Sequence, residues 1–148
     1  MIGVEFDAQA VQDALLGKAD ALRGALEARI QQKLSGEVLQ IRSGALAASI
    51  ISSIENAGSD TSVSISSTGV PYAAIQEFGG KTAAHDIVAV KPKALAFSMG
   101  GDQIFAKSMH HPGSAIPARS YLGSSLAEMR DDIESGFKQA ILEVLAPG

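Results

Sequence analysis

Apolar residues return at helical spacing through the first quarter of this chain. Val11, Leu15, Ala19, Leu22, Leu26, Ile30 and Leu34 recur every three or four positions, with Gln12, Asp20, Arg23, Glu27 and Gln31 between them. The pattern predicts a long amphipathic helix from about Ala8 to Leu34, capped by Asp7 and closed by Ser35-Gly36. A stripe of that length needs another element to cover it. A second stripe at the other end can do so: Leu122, Leu126, Met129, Ile133, Phe137, Ile141 and Val144 predict a last helix from Ser120 to about Leu145. Gly17 and Gly24, seven apart, fall near one face of the first helix and weaken it if exposed.

Between the two helices the period changes. Ile51–Glu55 and Thr61–Ser66 flank the turn sequence Asn56-Ala57-Gly58-Ser59-Asp60, which predicts a hairpin with Val63 and Ile65 on one face and serines on the other. Before it, Ser43 caps a short predicted helix, Gly44–Ile50. After it, Val70-Pro71 ends the strand, and Tyr72–Phe78 reads as two helical turns stopped by Gly79-Gly80. His85–Val90, Ala94–Met99 and Ile104–Met109 are predicted strands, the last two joined at Gly100-Gly101. The second of these alternates small with large, as a strand facing a core does: Ala94, Ala96 and Ser98 against Leu95, Phe97 and Met99. His110–Pro117 has no periodicity, two prolines and a glycine, and is predicted to be a loop. Segregated helices and mostly antiparallel strands give an α+β fold, expected as one domain over residues 1–148.

Composition narrows the function. The hydrophobic fraction of 46% argues for a packed core, and aromatics at 5% without tryptophan mean that Ala, Leu, Ile and Val build it. The net charge of −4 is a poor footprint for tight nucleic-acid binding. With no cysteine there is neither a disulfide nor a thiolate site. Met1–Asp7 lacks the basic start and apolar run of a signal peptide, and no stretch is apolar enough to span a membrane.

The chemical motifs are weak. His85, His110 and His111 show no spacing that presets a zinc site. Serines, histidines and Asp86 or Asp102 could compose a triad on paper, but no Gly-x-Ser-x-Gly elbow exposes a nucleophile. Gly79-Gly80-Lys81-Thr82 lacks the first glycine of a phosphate loop, because position 75 is Ile75. Lys91-Pro92-Lys93, with Lys81 nearby, is a small basic cluster that suits a solvated turn or an acidic neighbour. No catalytic residue, cofactor or metal is expected. Glu77 lies at a predicted helix C-terminus, where the dipole disfavours an anion, so Arg42 or Arg119, of the same subunit or the next, is expected within ion-pair distance of it.

Three short segments carry a resemblance. They are Arg42-Ser43-Gly44-Ala45-Leu46, then Tyr72-Ala73-Ala74-Ile75-Gln76-Glu77-Phe78-Gly79-Gly80, then Pro117-Ala118-Arg119-Ser120-Tyr121-Leu122. In this order, and followed by an amphipathic helix, they resemble the neck or tail-completion proteins of long-tailed bacteriophages, the head–tail joining or virion morphogenesis group. The Pro-Ala-Arg form is most similar to the Mu-like branch. Ser120 stands where that pattern has proline, and Tyr121 where it has phenylalanine.

The resemblance implies a non-enzymatic subunit of the virion, assembled in the host cytoplasm as a ring between head connector and tail tube. Its expected partners are other copies of itself, six by the symmetry of the tube, the head-closure protein, and the tail terminator or tube protein. DNA would pass through the ring without specific binding. The motif residues Arg42, Gly44, Leu46, Tyr72, Glu77, Phe78, Gly79, Pro117, Arg119 and Leu122 are the interface candidates it implies. Lys81–Lys93 and Gly100–Pro117 are expected as loops that touch neighbouring subunits. A tail terminator that caps the tube is the alternative of the same kind, and a small hydrolase the alternative of another.

Overall fold

The computed structural model describes residues 7–39, 44–58, 60–89 and 95–146. The fold is α+β. Helix α1 runs Ala8–Gln32, and the Asp7 carboxylate caps it by accepting the amides of Gln9 and Ala10 at 3.0 and 3.1 Å. A wide turn, Lys33–Glu37, ends it where Gly36 takes φ 119°, a conformation that favours glycine. Helix α2 is shorter than the sequence predicts, Ala45–Ala48, because Ile50 already belongs to the next strand. Gly44 precedes α2 in a left-handed conformation, and the predicted cap Ser43 lies outside the described residues.

Strands β1 (Ile50–Ala57) and β2 (Asp60–Ser67) form the predicted hairpin. Ile54, Val63 and Ile65 lie on its half-buried face, toward α1, while Ser62, Ser64 and Ser66 are exposed. Polar groups tie the two layers together. Arg23 donates to the Ser52 hydroxyl at 2.7 Å, and that hydroxyl donates to Glu27 at 2.8 Å. The core gathers Leu26, Ile30, Leu34, Leu39, Ile50 and Tyr121.

The last stripe folds as two helices, α4 (Leu122–Glu128) and α5 (Arg130–Leu145), with Met129 at ψ 2° between them. The apolar period continues through the break, so periodicity alone gave one helix. Asp131 and Asp132 fall in the first turn of α5, where carboxylates are favoured. Helix α5 packs on α1. Gly136 is buried at that contact, and a Cβ there would lie 2.9 Å from the Lys18 Cε. Gly17 and Gly24 are exposed and open to space.

The segment from 80 to 116 differs most from expectation. After helix α3 (Ala73–Phe78), six short strands pair in nested order. Strand β3 (Gly80–Lys81) pairs with β8 (Ala115–Ile116), β4 (His85–Val88) with β7 (Ser108–His111), and β5 (Leu95–Met99) with β6 (Asp102–Ala106), all antiparallel. The amides of Thr82 and Ala89 bond Ser114 and Lys107 and continue the ladder between the pairs. The described parts of the two expected loops, 81–89 and 100–116, are therefore limbs of one ribbon. The predicted loop His110–Pro117 contributes β8 and the end of β7, and the predicted strand Ile104–Met109 is interrupted at Lys107. Its pairing is long-range, which local composition does not report.

Candidate functional site

The site is built where the ribbon leaves the helices. Helix α3 is short, and its last turn carries Glu77, only 7% exposed. The Glu77 carboxylate crosses to the start of α4. It accepts the Ser120 hydroxyl at 2.6 Å and the amides of Tyr121, Leu122 and Gly123 at 2.8, 2.9 and 2.9 Å. Burial pushes the Glu77 carboxyl up, but the Ser120 hydroxyl and the three amides outweigh it and hold the group below the usual carboxylate range. The anion sits at a helix N-terminus, where the free amides and the dipole favour it.

For Arg119 within one subunit this corrects the expected partner. Among the described residues no ion pair includes Glu77. Arg119 meets α3 through its backbone, its amide donating to the Gln76 carbonyl at 2.8 Å. Arg42 lies outside the described residues. The dipole argument considered the helix that carries Glu77 and overlooked the helix it faces. Ser120 shows what a proline would lose. Its hydroxyl donates to Glu77 and accepts the Ser124 amide at 3.0 Å.

Further contacts lock the second and third motifs together. Tyr121 is 1% exposed, and its hydroxyl donates to the Ala73 carbonyl at 3.4 Å. Burial, and then the negative charge of Glu77, push the Tyr121 phenol up. Gly79 has φ 72°, and a Cβ there would lie 2.7 Å from the Ala118 nitrogen and 2.9 Å from the Ile116 carbonyl oxygen. Only glycine lets the strand after α3 pass so close to the third motif. Phe78 turns outward and is 79% exposed, and Pro117 is exposed beside the same crossing.

The first motif joins on the other side. Gly44, Ala45 and Leu46 line an open cleft of about 770 Å³ together with Val38, Leu39, Tyr72, Gln76, Ile116 and Arg119. Leu46 and Leu122 also pack on the core. All three motifs, far apart in sequence, thus border one cleft. The Gln76 Oε1 is buried and has no hydrogen-bond partner among the described residues. Tyr72 is half-exposed at the cleft.

A second polar cluster escaped the sequence reading. Lys33 is buried, and its ammonium donates to the Ser124 hydroxyl at 2.6 Å and to Glu128 at 2.7 Å. Arg29 holds Glu128 at 2.8 Å and Glu37 at 2.6 Å. Lys33 and then Arg29 hold the Glu128 carboxyl below its usual range, and Arg29 does the same for Glu37. Helical spacing of Arg29 and Lys33 was the available signal, but Glu128 is about a hundred residues away.

The histidines sit on the ribbon. His110 meets Asp86 at 2.7 Å, with both side chains exposed. His85 and His111 stack with centroids 5.1 Å apart. Adjacent His110 and His111 therefore point to opposite faces, as extended backbone requires. Among the described residues no three His, Asp or Glu side chains gather where they could hold a metal ion, and no helix is long and apolar enough to cross a membrane.

No protein-family model, curated protein sequence or solved structure matches this chain.

Proposed function

We propose that this chain is a structural subunit that assembles as a ring at the head–tail junction of a tailed phage, completing the tail and joining it to the head. One observation carries the reading. The three segments on which the family resemblance rests, far apart in sequence, border one cleft, and the second and third are joined through Glu77 and Gly79. Unrelated surface segments have no reason to converge in this way. The surface beside the cleft supports an assembly role, since Phe78 and Tyr72 present aromatic surface to solvent. The role needs interfaces and no chemical step.

Loss of the gene in its phage tests the reading. A neck or tail-completion subunit leaves filled heads and tails of normal length that fail to join. Loss of a terminator, which caps the growing tube, leaves tubes of uncontrolled length. Normal infectious particles without the protein would overturn both. The purified chain should run as a closed oligomer in light scattering.

A further inference from the structure

We propose that His85 and His111 are a pH-sensitive fastening at a bend in the ribbon. Neutral, they fix the direction in which the outer strands leave the base, and a proton on His111 lets those strands go. The device stands independently of the ring reading.

The bend lies between two pairs of strands. Residues 82–84 separate β3 from β4, and residues 112–114 separate β7 from β8. The limbs touch here: Gly113 has φ 85°, and a Cβ on it would run into the Thr82 carbonyl. A clasp crosses the bend, the Ser114 amide donating to the Thr82 hydroxyl at 2.7 Å and the Thr82 amide to the Ser114 carbonyl at 2.9 Å. Beyond it the ladder is interrupted, because Pro112 has no amide hydrogen to give.

The histidines of the next rung supply what the backbone does not. His85 and His111 are direct cross-strand partners, and their rings stack with centroids 5.1 Å apart. The His85 Nδ1 lies 3.2 Å from the Ala83 carbonyl oxygen. The Gly113 amide donates to the His111 Nδ1 at 3.1 Å. These two contacts fix the hydrogens. A carbonyl only accepts, so the His85 Nδ1 carries a hydrogen; an amide only donates, so the His111 Nδ1 carries none. His85 can therefore take a proton at Nε2 and keep its bond. His111 can take one only at Nδ1, where it displaces the Gly113 amide. Two charged rings would also repel across the stack, an effect that salt weakens.

Imidazole is the side chain whose charge ordinarily changes between about pH 5 and 8. The bond to Gly113 needs the neutral ring, so it is present on the alkaline side and lost as pH falls. The neighbouring charges do not rescue it. Asp86 and His110 form the following rung, on the opposite face of the ribbon, and are bonded to each other at 2.7 Å. A proton on His110 tightens that pair. Lys81 and Lys107, the next charged groups along the two limbs among the described residues, are cations and cannot stabilise an imidazolium. No other described element packs substantially on β4 or β7. Once Gly113 is released, the bend is left to the Thr82–Ser114 clasp, and the outer strands lose their fixed direction relative to the base.

Nitrogen NMR of the imidazoles in the full chain reads the hydrogens directly. At pH 8, His85 should carry its hydrogen on Nδ1 and His111 on Nε2; a hydrogen on the His111 Nδ1 at that pH overturns the proposal without any variant. Hydrogen exchange at the Gly113 amide, corrected for the intrinsic effect of pH, should be about tenfold faster at pH 5.5 than at pH 8, with the amides of α1 unchanged. His111→Phe keeps a ring in the stack but no acceptor, so this amide should exchange fast at both pH values. His110→Gln should respond as the wild type does. The chain has no cysteine, so nitroxides on Ser62→Cys and Val88→Cys, diluted with unlabelled chain, report the direction of the outer strands. Their distance distribution should be narrow at pH 8 and broad at pH 5.5. Exchange that ignores pH, a response that survives His111→Phe, or a distribution equally narrow at both pH values overturns the fastening.

Discussion

The carboxylate of Glu77, at the end of one helix, receives the amide of Leu122, in the first turn of another, at 2.9 Å. A carboxylate that would be unwelcome at its own helix C-terminus is thereby moved to the opposite pole of a neighbouring one. The same contact fixes where the polypeptide leaves α3 and where it enters α4, and so fixes the base of the ribbon between them.

Removing that carboxylate should be costly. Glu77→Ala leaves the amides at 121–123, that of Tyr121 buried, without this acceptor, and a buried donor left unmade costs about 1–3 kcal/mol. The expected loss in urea denaturation is about 3 kcal/mol. Glu77→Gln keeps one acceptor but turns an amide group toward amides, so it should fall between Ala and wild type. Equal stability of all three would show that water replaces the carboxylate.

Acid should unfold the chain through identifiable groups. The carboxyls of Glu77, Glu128 and Glu37 are held below their usual values. A carboxyl depressed in the folded state stabilises above its unfolded value and stops doing so as pH falls through the folded one. Stability should be level above about pH 5 and fall below about pH 4. Added salt should blunt the part due to Glu128 and Glu37, whose partners are cations, and spare the part due to Glu77, whose partners are neutral. Thermal melts from pH 2 to 7 at two salt concentrations separate them.

The Lys33 cluster gives an ordered pair of variants. Glu128→Gln leaves a buried ammonium with the Ser124 hydroxyl as its neutral partner, whereas Lys33→Met removes the buried charge altogether. Glu128→Gln should lower the melting temperature more. The reverse order would mean that the Lys33 charge is satisfied without Glu128.

The glycines should divide sharply. Gly17→Ala and Gly24→Ala add a methyl to open space and should each stabilise the helix by about 0.5–1 kcal/mol. Gly79→Ala forces a left-handed residue into contact with the third motif and should cost more than about 2 kcal/mol. If Gly17→Ala or Gly24→Ala raises the melting temperature while abolishing assembly, the exposed face of α1 is also an interface.

Replacing His85, His110 and His111 together with alanine should leave any ester, peptide or phosphodiester turnover of the preparation unchanged. Turnover present in wild type and lost in the variant would favour a hydrolase.

Local signals were legible where a residue answers to its near neighbours. Asp7 announced its cap, and Val63 and Ile65 alternated with serines, so α1 and the first hairpin were readable. Leu122–Val144 gave the face of the last helices but not their break, since Met129 preserves the period while it bends the chain. His110 and His111 looked like loop residues because their strand exists through partners at Asp86 and His85. Glu77 was singled out, but its four donors were not: a carboxylate in sequence suggests an arginine, while backbone and hydroxyl donors carry no sequence signature of charge.

The pairing in the ribbon has one more consequence. His85 faces His111 and Val88 faces Ser108 with a register that does not slip between them. One residue gained on a single limb would turn every later side chain to the other face. One residue gained on each limb changes only length, by about 3.4 Å. The reach of this chain can therefore be tuned in matched steps, like a ruler, without disturbing Glu77 or the helices behind it.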